Sequence, residues 1–478
     1  MYKFKTKPFE HQKDALKKCW NKKSFAVFAE MGTGKTKIAL DNACILYGKG
    51  SIDRLLVVAP KGKYMNWVDQ EIPVHVPDYI EKDVLAWKPN ITEKYELQLK
   101  SIRNSQNFKL KIFVMNVESL STKKGCYYAR LFLSSKAMMI IDESTTIKNP
   151  QAKRTKNILE LSKEAPYKRI LTGSPVTQSP MDLWSQMDFL EPEILGQQSF
   201  YAFRTKYAVL ITASAAGGTH KFQKIVKFKN LKELGKLVSP HSYRILKKDC
   251  LDLPDKIFTK RIIELSDEQK KAYSEMKTSA ITILKGEAAT AVNVLTQLIK
   301  LHQITCGHMK TDSGDIINLK NSRLDELMQI LGETTGKVII WANYIHDINT
   351  IESAIKKEFG FDSYCTYYGA TKQEDRQACI NKFQDETNPV RFFIGNTQTG
   401  GYGITLTQAS TVIYYSNNYD LEKRIQSEDR AHRIGQKNPV LYVDLVAKET
   451  VDEKIIQALR NKVNIASEIN GEELANWI

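Results

Sequence analysis

The residues best suited to chemistry begin at Ala29-Glu30-Met31-Gly32-Thr33-Gly34-Lys35-Thr36. Glycines separated by one residue let a backbone bend tightly and turn its N–H groups inward, and a helical pattern with Lys35 and Thr36 follows at once. That is how a phosphate-binding loop opens a helix. Gly32, Thr33 and Gly34 would wrap a triphosphate, as in ATP. Lys35 would neutralise its outer phosphates, and the Thr36 hydroxyl would ligate Mg²⁺. Ala29 stands where the strict pattern has glycine.

A second group lies at Met138-Met139-Ile140-Ile141-Asp142-Glu143, an apolar run ending in two acids. A buried strand of this kind would deliver Asp142 to the Mg²⁺ shell and Glu143, as general base, to the attacking water. Seen alone, the run also fits a strand ending in solvated acids. Charge on the transferring phosphoryl group needs a cation as well. Arg430 and Arg433, within Arg424–Gln436, are three residues apart. On a helix they would face the same way and reach one phosphate. A solvated Arg-rich helix is the other reading of that stretch.

These groups must be positioned by buried elements. Short apolar runs recur at Phe25–Ala29, Leu55–Ala59, Ile112–Met115, Met138–Ile141 and Ile170–Thr172. A second set lies at Val338–Trp341, Tyr364–Tyr368, Phe392–Ile394, Val412–Tyr415 and Leu441–Leu445. Such runs suit strands covered on both faces, and alternation with helical stretches predicts an α/β chain with two parallel sheets. The region from 196 to 335 is poor in strand-like runs. It predicts a hairpin turning at Gly217-Gly218, helices over Ser266–Lys285 and Ala291–Cys306, and a hinge at Cys250–Asp255. A helix is expected over Thr450–Ile469. Trp67 and Trp341 could serve as stacking platforms, but buried packing is the expectation for each.

The chain has 478 residues, enough for several domains with cores of their own. Its net charge of +16 favours a polyanionic partner, whether nucleic acid or an anionic membrane surface. The seven cysteines contain no C-x-x-C pair and are odd in number, so neither a disulfide framework nor a zinc site is expected. The first residues lack the apolar core of a secretory signal, and no run approaches the roughly 18 apolar residues of a membrane span. The expectation is a cytoplasmic protein with no membrane partner.

Read together, the motifs resemble the Swi/Snf-type translocases of helicase superfamily two. Glu30–Thr36 is similar to the family's D-E-M-G-L-G-K-T, and Asp142–Pro150 to D-E-A-H-R-I-K-N-P. Leu171-Thr172-Gly173-Ser174-Pro175 with Leu183-Trp184 resembles L-T-G-T-P…L-W. Gly400–Leu406 is similar to G-G-x-G-I-N-L, and Gln426–Gln436 to Q-A-E-D-R-A-H-R-I-G-Q. The resemblance implies two RecA-like P-loop lobes, residues 1–240 (with an insertion around 196–238) and 321–478, joined by a linker and helical protrusion over 241–320.

It further implies an ATP-hydrolysing, Mg²⁺-dependent motor on double-stranded DNA. Phe9-Glu10-His11-Gln12 looks like the adenine-reading element, with Gln12 on the base, and Gln426 joins the nucleotide side. DNA phosphates are expected at Lys61, Asn66, Thr172, Gly173, Asn396, Gly400, Gly401 and Gly403. Translocation without strand separation is expected; a strand-separating DNA or RNA helicase and a nucleic-acid-binding protein with an idle ATPase are the alternatives. The stripped form resembles those of phages and bacteria, with a protein partner left open. Thr145 replaces the family's His, and Thr399 and Thr405 replace its Ala and Asn. Lys221, Lys224, Lys227 and Lys229 would either grip duplex or solvate a surface.

Overall fold

The structure, a computed structural model, describes residues 2–104, 108–214, 221–285, 291–400 and 404–470. It divides into two compact units. One comprises the described residues of Met1–Val209, Phe228–Asp252 and Val463–Ile478, and the other Leu210–Lys227 and Leu253–Lys462. The division between Asp252 and Leu253 falls inside the Pro- and Asp-punctuated segment Cys250–Asp255.

In the first unit, β1 (Ser24–Ala29), β2 (Arg54–Ala59), β3 (Lys82–Ala86), β4 (Leu110–Asn116), β5 (Ala137–Asp142) and β6 (Tyr167–Thr172) lie in one sheet. The chain then makes a separate two-stranded sheet of β7 (Ala208–Ser214) and β8 (Lys221–Phe228), most of which groups with the second unit, before β9 (Ser242–Ile245) returns to the large sheet of the first. The seven-stranded order is β3-β4-β2-β5-β6-β1-β9, parallel throughout. Leu55 to Ala59 and Met138 to Ile141 are fully buried, which is why their sequences run apolar without alternation. Parallel register sets Phe28 opposite Thr172 and Asp142 opposite Leu171. The residues following β1, β5 and β6 therefore leave the sheet at its carboxyl end, where open α/β sheets bind ligands.

The second unit carries β10 (Lys256–Ile263), a small antiparallel pair β11 (His308–Lys310) and β12 (Ile316–Asn318), then β13 (Lys337–Trp341), β14 (Tyr364–Tyr367), β15 (Phe392–Gly395), β16 (Ala409–Tyr414) and β17 (Val440–Ala447). Its six-stranded order is β10-β17-β16-β13-β15-β14, again parallel. Long helices span Asp267–Lys285, Ala291–Thr305 and Val451–Asn470. The residues of the expected turn, Gly217 and Gly218, lie outside the described ones. Among the described residues no helix is long and apolar enough to cross a membrane.

Trp67 and Trp341 are core, each with no exposed surface, as expected. Two expectations change. The stretch from 196 to 335 is less poor in strands than its composition suggests, since it contains β9, β10 and the β11–β12 pair. Cys365 on β14 is disulfide-bonded to Cys379 on the helix Gln373–Gln384, with Cα atoms 5.6 Å apart. Packing of a helix on a strand brings together cysteines that sequence spacing leaves unpaired, and the cysteine pattern carries no argument about compartment.

Candidate nucleotide site

The loop after β1 is built as its glycines require. Gly32 and Gly34 have φ of 84° and 85°, in the left-handed region that favours glycine, and Gly34 caps the helix Lys35–Gly48. A Cβ on Gly34 would fall 2.2 Å from Gln12 Nε2. Gln12 donates that Nε2–H to Thr33 O at 3.1 Å and accepts from Phe9 N at 3.1 Å. His11 Nε2 also reaches Thr33 O, at 2.8 Å, and the Thr33 hydroxyl donates to Glu30 O at 2.8 Å. In this structure Gln12 braces the loop with its amide nitrogen, while its amide oxygen caps the start of its own helix, Glu10–Cys19.

Behind the loop, Asp142 is fully buried and Glu143 is 4% exposed, as strand β5 delivers them. Lys35 Nζ lies 3.3 Å from Glu143 Oε1. Lys63, on the loop after β2, places its ammonium 3.0 Å from Asp142 Oδ2 and 3.2 Å from Glu143 Oε1. Trp67 Nε1 donates to Asp142 Oδ2 at 2.9 Å, and Glu143 N donates to Oδ1 at 3.0 Å. Two ammonium groups thus balance two carboxylates, the condition under which buried charges are tolerated. Burial pushes the Glu143 carboxyl up, but Lys35 and then Lys63 outweigh it and hold the group down to about 2. Burial alone would lower the Lys63 ammonium; Asp142 and Glu143 reverse that and raise it.

Glu143 itself has φ 48° and ψ 63°, a left-handed conformation without a glycine. Such a residue costs on the order of 1–2 kcal/mol and is kept where its surroundings over-determine it. Lys63 and the Trp67–Asp142 bond were not anticipated from the sequence. Their signal was the i,i+4 spacing of a cation and an indole N–H, both facing the acid pair.

Beyond Glu143, Ser144 donates to Gln186 Oε1 at 2.6 Å, and Gln186 Nε2 donates to Pro175 O at 2.8 Å and Asp182 O at 2.7 Å. Lys148 Nζ reaches Thr177 Oγ1 at 2.7 Å. The acid strand and the segment after β6 are therefore tied through Ser144 and Gln186, one residue before the threonine that replaces the family's histidine. Thr172 and Gly173 are buried. Gly173 packs with its Cβ position 3.4 Å from Ala29 O, and its own carbonyl accepts from Arg244 Nη1 at 2.7 Å. Lys61 is exposed and Asn66 half-buried.

In the second unit the helix Leu421–Glu428 stops before the paired arginines. Arg430 N and Ala431 N bond back three residues, to Ser427 O and Glu428 O, so the chain tightens out of the helix. This corrects the expectation of a shared helical face. The two guanidinium groups still converge, because both Nη1 atoms donate to Ile404 O, at 3.1 Å from Arg430 and 3.2 Å from Arg433. Gln426 is 5% exposed and donates to Glu422 Oε1 at 3.1 Å. Gly400 is buried, and a Cβ there would meet the Trp341 ring at 2.5 Å. Asn396 donates to Asn343 O at 2.8 Å. Gly401 and Gly403 lie outside the described residues.

The donor set suits a magnesium nucleotide. The Gly34 turn has no room for a side chain. The oxygens offered are the Thr36 hydroxyl and the Asp142 and Glu143 carboxylates, hard donors of the kind that hold Mg²⁺ together with substrate phosphates.

Two parallel-sheet lobes, one with a glycine loop backed by a lysine–acid cluster, define a helicase-type ATPase core. The chain belongs to the SNF2-related domain family, whose model matches residues 11–310, and residues 320–435 match the helicase conserved C-terminal domain. It is 26% identical to Protein CHROMATIN REMODELING 4 of Arabidopsis thaliana over 488 residues, covering 95% of this chain and 21% of that one. An uncharacterized ATP-dependent helicase of Mycoplasma genitalium, MG018, is 26% identical over 454 residues, covering 93% and 40%. The chain thus spans about a fifth to two fifths of the length of these curated relatives. A solved Sulfolobus solfataricus SWI2/SNF2 ATPase core in complex with dsDNA shares 25% identity, covering 98% of this chain and 95% of that one, with a TM-score of 0.44.

Proposed function

We propose that this chain is an ATP-dependent motor that translocates along double-stranded DNA without separating its strands. The observation that carries the reading is the buried contact of Lys35 with Glu143 behind the glycine loop. The nucleotide's phosphates would take Lys35 as their counter-ion. Glu143 then loses one of the two cations that suppress its proton affinity and becomes a better base toward the attacking water. Thr36 and Asp142 would hold Mg²⁺, which offsets charge on the phosphates when bound. Arg430 and Arg433 would steady the transferring phosphoryl group, a role worth roughly a thousandfold to a hundred-thousandfold in rate. Gln426 is assigned to the nucleotide side, and Gln12 to the adenine once it releases Thr33.

The +16 charge and the family membership support DNA as the track, gripped through its phosphates and without sequence preference. Lys61, Asn66 and Asn396 are the contacts favoured by placement. Thr172, Gly173, Gly400, Gly401 and Gly403 remain assigned to the same role through the family motifs.

The test is steady-state ATP turnover without nucleic acid and with single strands, duplex or RNA, using Lys35→Ala as the blank. Stimulation by duplex that grows with its length, with displacement of a triplex strand but no release of an annealed one, is expected. Release of the annealed strand would favour a helicase. Turnover indifferent to every nucleic acid would overturn the motor.

A further inference from the structure

Lys63 is a charged side chain that the phosphate chemistry above does not use. Pro60 O accepts from Lys63 N at 2.8 Å and from Tyr64 N at 3.0 Å, forming the turn from which the Lys63 side chain reaches the end of β5. One turn later Trp67, buried at the start of a π-helical segment Trp67–Glu71, donates to the same Asp142 oxygen. Asp142 therefore gives Oδ2 to Lys63 and Trp67, and Oδ1 to Glu143 N. With Lys63 and Lys35 both on Glu143 Oε1, two ammonium charges face the two carboxylates.

We propose that Lys63 is a resident counter-ion that holds the Asp142–Glu143 pair in place of a divalent cation and must withdraw when a metal nucleotide enters. The inference rests on the ATPase reading and deepens it. A free divalent ion has to displace an ammonium already within 3.2 Å of both carboxylates. A metal nucleotide meets less resistance, because its phosphates draw Lys35 away and leave Glu143 short of a partner. Metal and nucleotide then bind cooperatively, each raising the affinity for the other by the same factor. Lys63 is a positioning residue, since it acts through the two acids.

The experiment is a Mn²⁺ titration of the nucleotide-free protein, followed by electron paramagnetic resonance of the free ion. Lys63→Met removes the charge and keeps much of the side-chain volume. It should bind Mn²⁺ on the order of tenfold more tightly than wild type or more, because a cation is removed from the immediate neighbourhood of both ligands. Lys63→Arg, which keeps the charge, should stay near wild type, and Asp142→Asn added to Lys63→Met should abolish the gain. Thermal melts with and without Mn²⁺ give a second readout: the ion should raise the melting temperature of Lys63→Met more than that of wild type.

If Lys63→Met folds only when Mn²⁺ is added, the ion has replaced the ammonium and the proposal stands. Unchanged Mn²⁺ affinity in folded Lys63→Met and Lys63→Gln would overturn it, as would failure of Mn²⁺ to restore either variant should both unfold. Failure of the ATPase reading shows elsewhere, as turnover equal in wild type and Lys35→Ala.

Discussion

Glu143 carries three demands at once: it sits in a left-handed backbone conformation, is buried beside Asp142, and touches two ammonium groups. Its value of about 2 when folded lies below its ordinary 4.5, so the ionised group stabilises the fold above the ordinary carboxylate range. That contribution disappears as pH falls through that range toward 2. Denaturant unfolding measured from about pH 5 downward should lose stability more steeply for wild type than for Glu143→Gln. Parallel curves would mean that the lysines supply no net attraction. Much of this arrangement was legible in residue types alone, since the left-handed glycines Gly32 and Gly34 and the contact of Lys35 with Glu143 beside Asp142 involve the residues that the proposed phosphate chemistry singles out. Lys63 and Trp67 were not, because a lysine on a loop reads as a surface charge until the fold turns it onto an acid.

The elements divide along the same physical line. Strands covered on both faces announce themselves as apolar runs, and β1, β2, β5, β13 and β15 did so. Strand β3 is half-buried along its length, and β10 leaves Ile257, Phe258 and Ile262 about half exposed, so both mix charged residues with apolar ones and were missed. The helix end at Glu428 was hidden for another reason: three-residue hydrogen bonds tighten a chain whose composition would let the helix continue. The segments after β5 and β6 are joined by Ser144, Gln186 and Pro175, the route by which phosphate state would reach the segment proposed to touch DNA. Gln186→Leu would leave the Ser144 hydroxyl and the Pro175 carbonyl without this partner, at a cost of about 1–3 kcal/mol. Stimulation of turnover by duplex should fall more than basal turnover in this variant. Equal loss of both, or of neither, would remove the relay from the mechanism.

At the scale of the molecule, each unit has its own parallel sheet, and each holds one half of the proposed chemistry: a cradle with acids in one, converging guanidinium groups in the other. The duplication was readable from two sets of strand-like runs, and one of the boundaries between the units, at Asp252–Leu253, falls in the segment where proline and acids interrupt the pattern. The proposed DNA contacts were less readable. Thr172, Gly173 and Gly400 lie in motifs that carry the family resemblance, but the fold packs them inward, and small residues look alike whether they admit a phosphate or an indole ring. The central claim is that the buried acid pair behind the glycine loop turns over ATP. Its most direct test is to measure nucleotide binding and ATP turnover side by side on Glu143→Gln with saturating duplex. Binding should persist while turnover falls roughly a hundredfold to ten-thousandfold, the usual contribution of a general base. Turnover within a few-fold of wild type, with binding intact, would contradict it.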